Sequence, residues 1–192
     1  MLHASLYCGR PGDYQKGTVQ YMSKVLVVVD MQNDFVNGSL GSEDARGILP
    51  KVKEKISEYQ KNGDIVIFTR DTHGENYLQS QEGKYLPVPH CIYGTDGWKI
   101  VDGLDVEECQ YIDKPNFGWP HWEKMGFDDK DGIELIGVCT DICVVSNALI
   151  LKAIYPEIPI TVDASCCAGV TSENHKAALL TMKSCQINVI NE

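Results

Sequence analysis

Six side chains able to do chemistry stand at the ends of apolar runs: Asp30, Asp71, His73, Lys114, Cys139 and Cys143. Two carboxylates, one amine, one imidazole and two thiols in such places are hard to explain by folding alone. Cys143 lies in Gly137-Val138-Cys139-Thr140-Asp141-Ile142-Cys143-Val144. If Thr140 or Asp141 caps a helix, Cys143 falls in its first turn. There the unpaired N–H groups and the helix dipole favour a thiolate, and the same N–H groups could hold a developing oxyanion. Asp30 could take the thiol proton, and Lys114 could stabilise both anions. Each residue also has a plainer reading. A free Cys in an apolar run behaves as a small buried hydrophobe. Asp30 would then be a loop carboxylate and Lys114 a solvated surface lysine. A second group is Asp71-Thr72-His73, with Pro89-His90-Cys91 placing His90 seventeen residues after His73. Such Asp and His mixtures suit zinc, iron, manganese or cobalt, although loop Asp and His are often only solvated.

The elements that must position these residues alternate between strand and helix. Val25 to Val29 is a continuous β-branched and aliphatic run ending at Asp30, the pattern of a strand buried on both faces. Ile48, Leu49, Val52, Ile56 and Tyr59 recur at helical spacing within 45–62, and Asn62-Gly63 supplies the stop. Further strands are expected over 65–69, 111–114, 132–138, 158–162 and 187–190, with helices over 142–154 and from Ser172 or Glu173 to Ser184. Residues 72–103 are irregular and rich in Gly, Pro, His and Tyr, and a stretch that long in a compact domain is usually functional. The expected fold is α/β: a Rossmann-like three-layer α/β/α arrangement around a central, mostly parallel six-stranded sheet. Ligands in such sheets bind outside the carboxyl ends of the strands, where the six side chains stand.

Composition narrows the function classes. The chain has 192 residues, with 17 Lys and Arg against 27 Asp and Glu, a formal charge of −10. That length fits one domain, expected over 22–192. Residues 1–21 lack period and read as a disordered or vector-derived leader. An acidic chain is a poor general binder of phosphate backbones and of anionic membrane surfaces, so neither nucleic acid nor membrane is an expected partner. The Val25–Val29 run falls far short of a membrane span. Eight cysteines could suggest a disulfide scaffold. The chain is long enough to bury a core without staples, and no Cys-x-x-Cys pair is present, so a reducing, cytoplasmic setting is expected.

Three segments in order carry a family resemblance: Val27-Val28-Val29-Asp30-Met31-Gln32-Asn33-Asp34-Phe35, then Asp113-Lys114 with Phe117 and Trp119, then the Gly137–Val144 run. Together they resemble the isochorismatase-like cysteine hydrolases, and among them the nicotinamidases, over about residues 24–190. The resemblance implies Cys143 as nucleophile, Asp30 as general base and Lys114 as third member of a triad. It implies a non-proline cis peptide at Val138–Cys139, with the backbone N–H groups of Cys139 and Cys143 facing the substrate oxygen. It also implies one divalent transition metal, zinc first and iron or manganese as alternatives, with no organic cofactor. Many relatives place a His six residues after the first His, where this chain has Gln79. Others use a Glu about nine residues after it, which is Glu82 here. The implied ligands are therefore Asp71, His73, Glu82 and His90, with Glu75 and Gln79 as competitors for the third place.

The chemistry so implied is hydrolysis of nicotinamide to nicotinate and ammonia through a thioester, with the metal orienting the pyridine ring. Phe35, Phe117 and Trp119 would grip the flat ring, with Leu40 as an aliphatic wall. Ordinary core packing is the plain alternative for each. A homo-oligomer is expected by the same resemblance. Two other readings compete: a sister hydrolase acting on another amide, ureido or carbamoyl compound, and a non-catalytic relative that only binds.

Overall fold

A computed structural model describes residues 23–104, 106 and 109–192, so the leader expected over 1–21 lies outside the described residues. Strand β1 (Val25–Val29) is wholly buried. It pairs with β2 (Ile65–Asp71) on one side and β4 (Ile133–Val138) on the other. β3 (Gln110–Lys114) flanks β2, while β5 (Ile160–Ala168) and β6 (Asn188–Ile190) complete the other flank. The order is β3-β2-β1-β4-β5-β6 and every pairing is parallel, so the sheet is wholly rather than mostly parallel. Parallel registers bring Val29 beside Thr69 and Gly137, and Asp71 beside Lys114. The carboxyl ends of the central strands are thereby gathered in one place.

Helices cover both faces. The short α1 (Asn33–Val36) follows β1, and α2 (Glu43–Asn62) packs against the sheet through Ala45, Ile48, Val52, Ile56 and Tyr59. Ser42 caps α2 by accepting the Ala45 N–H, and Gly63 ends it in the left-handed region at φ 74°. Helices α4 (Val145–Ile154) and α5 (Ser172–Ser184) supply Ala148, Leu151, Leu179 and Met182 to the opposite core layer. A short α3 (Gln81–Tyr85) breaks the otherwise irregular 72–103 stretch.

Two expectations are corrected. The fifth strand runs over Ile160–Ala168, not 158–162. The apolar pattern stops at Asp163, yet that carboxylate is neutralised in place by Lys55, 2.9 Å away, so the strand continues through it. The helix expected from Ile142 also begins differently. A π-helical turn over Thr140–Val144 precedes α4, and neither Thr140 nor Asp141 caps it. The Thr140 hydroxyl instead pairs with His175 Nδ1 at 2.8 Å, and Asp141 accepts the Val170 N–H at 2.9 Å.

Candidate active site

Asp30 follows β1 with a positive φ of 49°, a conformation in which Asp is among the enriched residue types. Its backbone N–H donates to Thr69 at the carbonyl and the hydroxyl, and the Thr69 hydroxyl donates back to Asp30 Oδ1 at 2.7 Å. Oδ2 lies 2.6 Å from Lys114 Nζ, and both side chains are fully buried. Lys114, at the end of β3, also donates to the Asn116 carbonyl at 3.1 Å and lies 3.6 Å from Cys143 Sγ. Cys143 comes from the π turn, whose N–H groups of Ile142 and Val144 converge on the Cys139 carbonyl. The Val138–Cys139 peptide bond is cis. At Gly137, φ is 114° and a Cβ would collide with the Val29 carbonyl, so only glycine lets β4 approach β1 this closely.

The electrostatics of this trio are those of a closed ion pair beside a neutral thiol. Burial pushes the Cys143 thiol well above its ordinary value, and the Asp30 charge adds to that against the opposing pull of Lys114. Burial thus keeps Cys143 on the thiol side. Burial also raises the Asp30 carboxyl, opposed by the Lys114 cation and supported by Asp71. Lys114 loses some proton affinity to burial but gains more from Asp30, Cys143 and Asp71, and stays an ammonium.

Beside the trio, β2 ends in Asp71 and the chain turns through His73. Asp71 Oδ2 lies 2.8 Å from His73 Nε2 and 3.5 Å from His90 Nε2. Glu82, in the first turn of α3, brings Oε1 to 3.7 Å from His73 Nε2 and 3.6 Å from His90 Nε2. One donor atom from each of these four residues lies within 4.8 Å of the others, while Glu75 is exposed and outside the group. His90 donates its other ring nitrogen to the Val88 carbonyl at 2.8 Å, the arrangement that fixes the tautomer of a metal-ligating imidazole. Burial opposes ionisation of Asp71, but hydrogen bonds from His73 and His90 more than offset it and hold the carboxyl well below the usual range. Its Oδ1 is buried without a hydrogen-bond partner, 3.5 Å from Lys114 Nζ. Two imidazoles and two carboxylates converging on one small space, one carboxylate oxygen left over, fit a borderline divalent cation.

The structure gathers most of the expected residues. Phe35 tilts against His90 with centroids 5.4 Å apart. Leu40 is half-buried, next to Ser39, whose hydroxyl donates to the Pro89 carbonyl, so it stands on the His90 side. Phe117 and Trp119 lie on the loop after β3. Phe117 is 45% exposed, whereas Trp119 is half-buried and edge-on to Trp122 at 5.1 Å. Sequence reasoning missed Thr69, which orients Asp30, and Gln32. The Gln32 amide accepts the Asp71 N–H at 2.7 Å and donates to the carbonyls of Asp71 and Trp98, both at 2.9 Å. Gln32 stands inside the first quoted segment, but its type alone does not reveal which backbone it holds. Tyr77, buried against His73 and His90 at 4.7 and 4.9 Å, was missed too.

Residues 24–192 match the isochorismatase domain. The chain belongs to the isochorismatase family. Among its relatives are a nicotinamidase of Schizosaccharomyces pombe, 26% identical across 87% of this chain and 92% of that protein, and an Arabidopsis thaliana protein described as a probable inactive nicotinamidase, 28% identical across 86% and 90%. The crystal structure of pyrazinamidase of Pyrococcus horikoshii in complex with zinc superposes with a TM-score of 0.77, at 27% identity over 88% of this chain and 99% of that one. Among the described residues of this family member, no helix is long and apolar enough to cross a membrane.

Proposed function

We propose that the chain is a nicotinamidase, a cysteine amidohydrolase converting nicotinamide to nicotinate and ammonia. The observation that carries this reading is the adjacency of two centres: the Asp30–Lys114–Cys143 trio and the Asp71, His73, Glu82, His90 group share Lys114, whose Nζ reaches both Asp30 and Asp71. A nucleophile beside a cation site suits a substrate with a scissile carbonyl and a basic ring nitrogen. A merely binding relative would not need the trio intact, and here all three members are in contact.

In this reading Cys143 rests as a thiol and needs a base. Asp30, its carboxyl made more basic by burial, accepts the Sγ proton as sulfur attacks the amide carbon. Lys114 keeps the two developing anions compatible in a dry site. The N–H groups of Cys139 and Cys143 would receive the oxyanion, a contribution of about 2.7–4 kcal/mol per donor in related chemistry. As the C–N bond breaks, the proton held at Asp30 passes to the leaving nitrogen and ammonia departs. A nicotinoyl thioester remains, which water, deprotonated by Asp30, hydrolyses to nicotinate. Asp71, His73, Glu82 and His90 would hold one divalent transition metal. Bound there, that metal would supply a Lewis-acid anchor for the ring nitrogen. Phe35 and Leu40 on one side and Phe117 and Trp119 on the other would enclose the ring.

The test is ammonia and nicotinate release by zinc-supplemented protein, beside Cys143→Ala. Release by the parent and none by the variant is expected. Folded, zinc-loaded parent that leaves nicotinamide intact would overturn the reading, and turnover of a ureido or carbamoyl compound in its place would move the chain to a sister hydrolase.

A further inference from the structure

The buried amide of Asn147 lies between the nucleophile and the aromatic loop and is used by neither centre described above. Asn147 is fully buried on α4, one turn after Cys143. Its Nδ2 donates to the Cys143 carbonyl at 2.8 Å and to the Phe117 carbonyl at 3.2 Å. Its Oδ1 accepts the Trp119 backbone N–H at 2.9 Å and the Trp122 indole N–H at 3.0 Å. An amide side chain has two donor and two acceptor sites, and here all four are filled. The partners fix its orientation, because two are carbonyls and two are N–H groups. A hydrophobic residue of the same size would take the amide away from all four partners, two of them in buried contacts. The Phe117–Trp122 segment touches the nucleophile's helix at one further close point. Gly118 packs so tightly on Ile150 and Ser146 that a Cβ would collide with Ile150. The segment is held at its far end by Tyr155, whose hydroxyl donates to the Trp122 carbonyl at 2.9 Å, and Lys114 donates to the Asn116 carbonyl just before it.

We propose that Asn147 is a positioning residue that sets the distance between the Phe117–Trp119 wall and the Cys143 nucleophile, and so the fit of a flat aromatic acyl group. This inference rests on the nicotinamidase reading and deepens it. Asn147 touches neither Asp30 nor Lys114 and meets the nucleophile only at the Cys143 carbonyl, away from Sγ, so its loss is expected to act on the seating of the ring.

The experiment compares parent, Asn147→Asp and Asn147→Ser with zinc bound. Asp keeps both acceptor sites and removes both donors; Ser keeps one hydroxyl, leaves room for water and preserves the fold should the buried carboxylate not be tolerated. Three readouts are taken: KM and kcat for nicotinamide per folded protein, and the rate of Cys143 alkylation by iodoacetamide, followed on its peptide by mass spectrometry. The expected pattern is KM raised about tenfold with kcat held within about threefold, the signature of lost ground-state binding, and Cys143 alkylation close to the parent rate. KM at the parent value in folded variants would overturn the inference, as would a fall in kcat accompanied by slowed alkylation. A parent that is itself inactive on nicotinamide would instead overturn the function on which the inference rests.

Discussion

At the scale of single residues, the buried Asp30–Lys114 pair decides what the site can tolerate. Two opposite charges out of water are stable only together, and removing one leaves the other unpaired at a cost of about 3–5 kcal/mol. Lys114→Met is therefore expected to lower the urea unfolding midpoint strongly as well as abolish turnover. Asp30→Asn keeps shape and the Thr69 contact but removes both the base and the countercharge of Lys114. Its kcat is expected to fall about 10²–10⁴-fold, measured by ammonia release in protein shown to be folded by circular dichroism. An Asp30→Asn variant with parental kcat would remove Asp30 from the proton path. Some of this was legible in the sequence. Asp30, Lys114 and Cys143 each end an apolar run or sit in a turn, where folding gives no reason for them. Glu82 was legible only through the family resemblance, because a loop acid carries no local signal. The burial that holds Cys143 as a thiol was not legible, because depth is a property of the packed molecule.

At the scale of elements, parallel register makes the site. β1, β2 and β3 end together, so Asp30, Asp71 and Lys114 emerge side by side. β1, β2 and β4 were legible because burial on both faces demands largely apolar runs. β5 was legible only in its first half, since its polar residues are satisfied by a distant helix. Lys55 of α2 bridges Glu134 and Asp163, each at 2.9 Å, and Ser165 and Asn191 also donate to Asp163. Burial alone would raise the Asp163 carboxyl, but these donors outweigh it and hold it below the usual range. A carboxyl lowered by folding contributes stability that is full above its unfolded value, about 3.9, and is lost as pH falls through its folded value. Urea midpoints are therefore expected to drop below about pH 4, and Lys55→Met is expected to flatten that acid limb. An unchanged slope in the variant would show that Lys55 does not hold the carboxyl down.

At the scale of the whole molecule, two centres of different chemistry share one end of one sheet. The four proposed metal ligands come from β2, the turn after it, α3 and the loop before Cys91, so a bound cation would tie the long 72–103 connection to the sheet. Removing a ligand is expected to weaken metal affinity by at least the 10–100-fold typical of losing even an outer partner. His90→Ala should therefore retain little zinc after dialysis, read by elemental analysis, whereas Cys143→Ala should retain the parental amount. In the proposed reaction Cys143 carries the acyl group. The most direct measurement is acid quenching of the protein during turnover of nicotinamide, followed by peptide mass spectrometry. A nicotinoyl adduct on the peptide containing Cys143, absent without substrate, is the expected result. An adduct on another cysteine, or steady turnover by Cys143→Ala, would contradict the account.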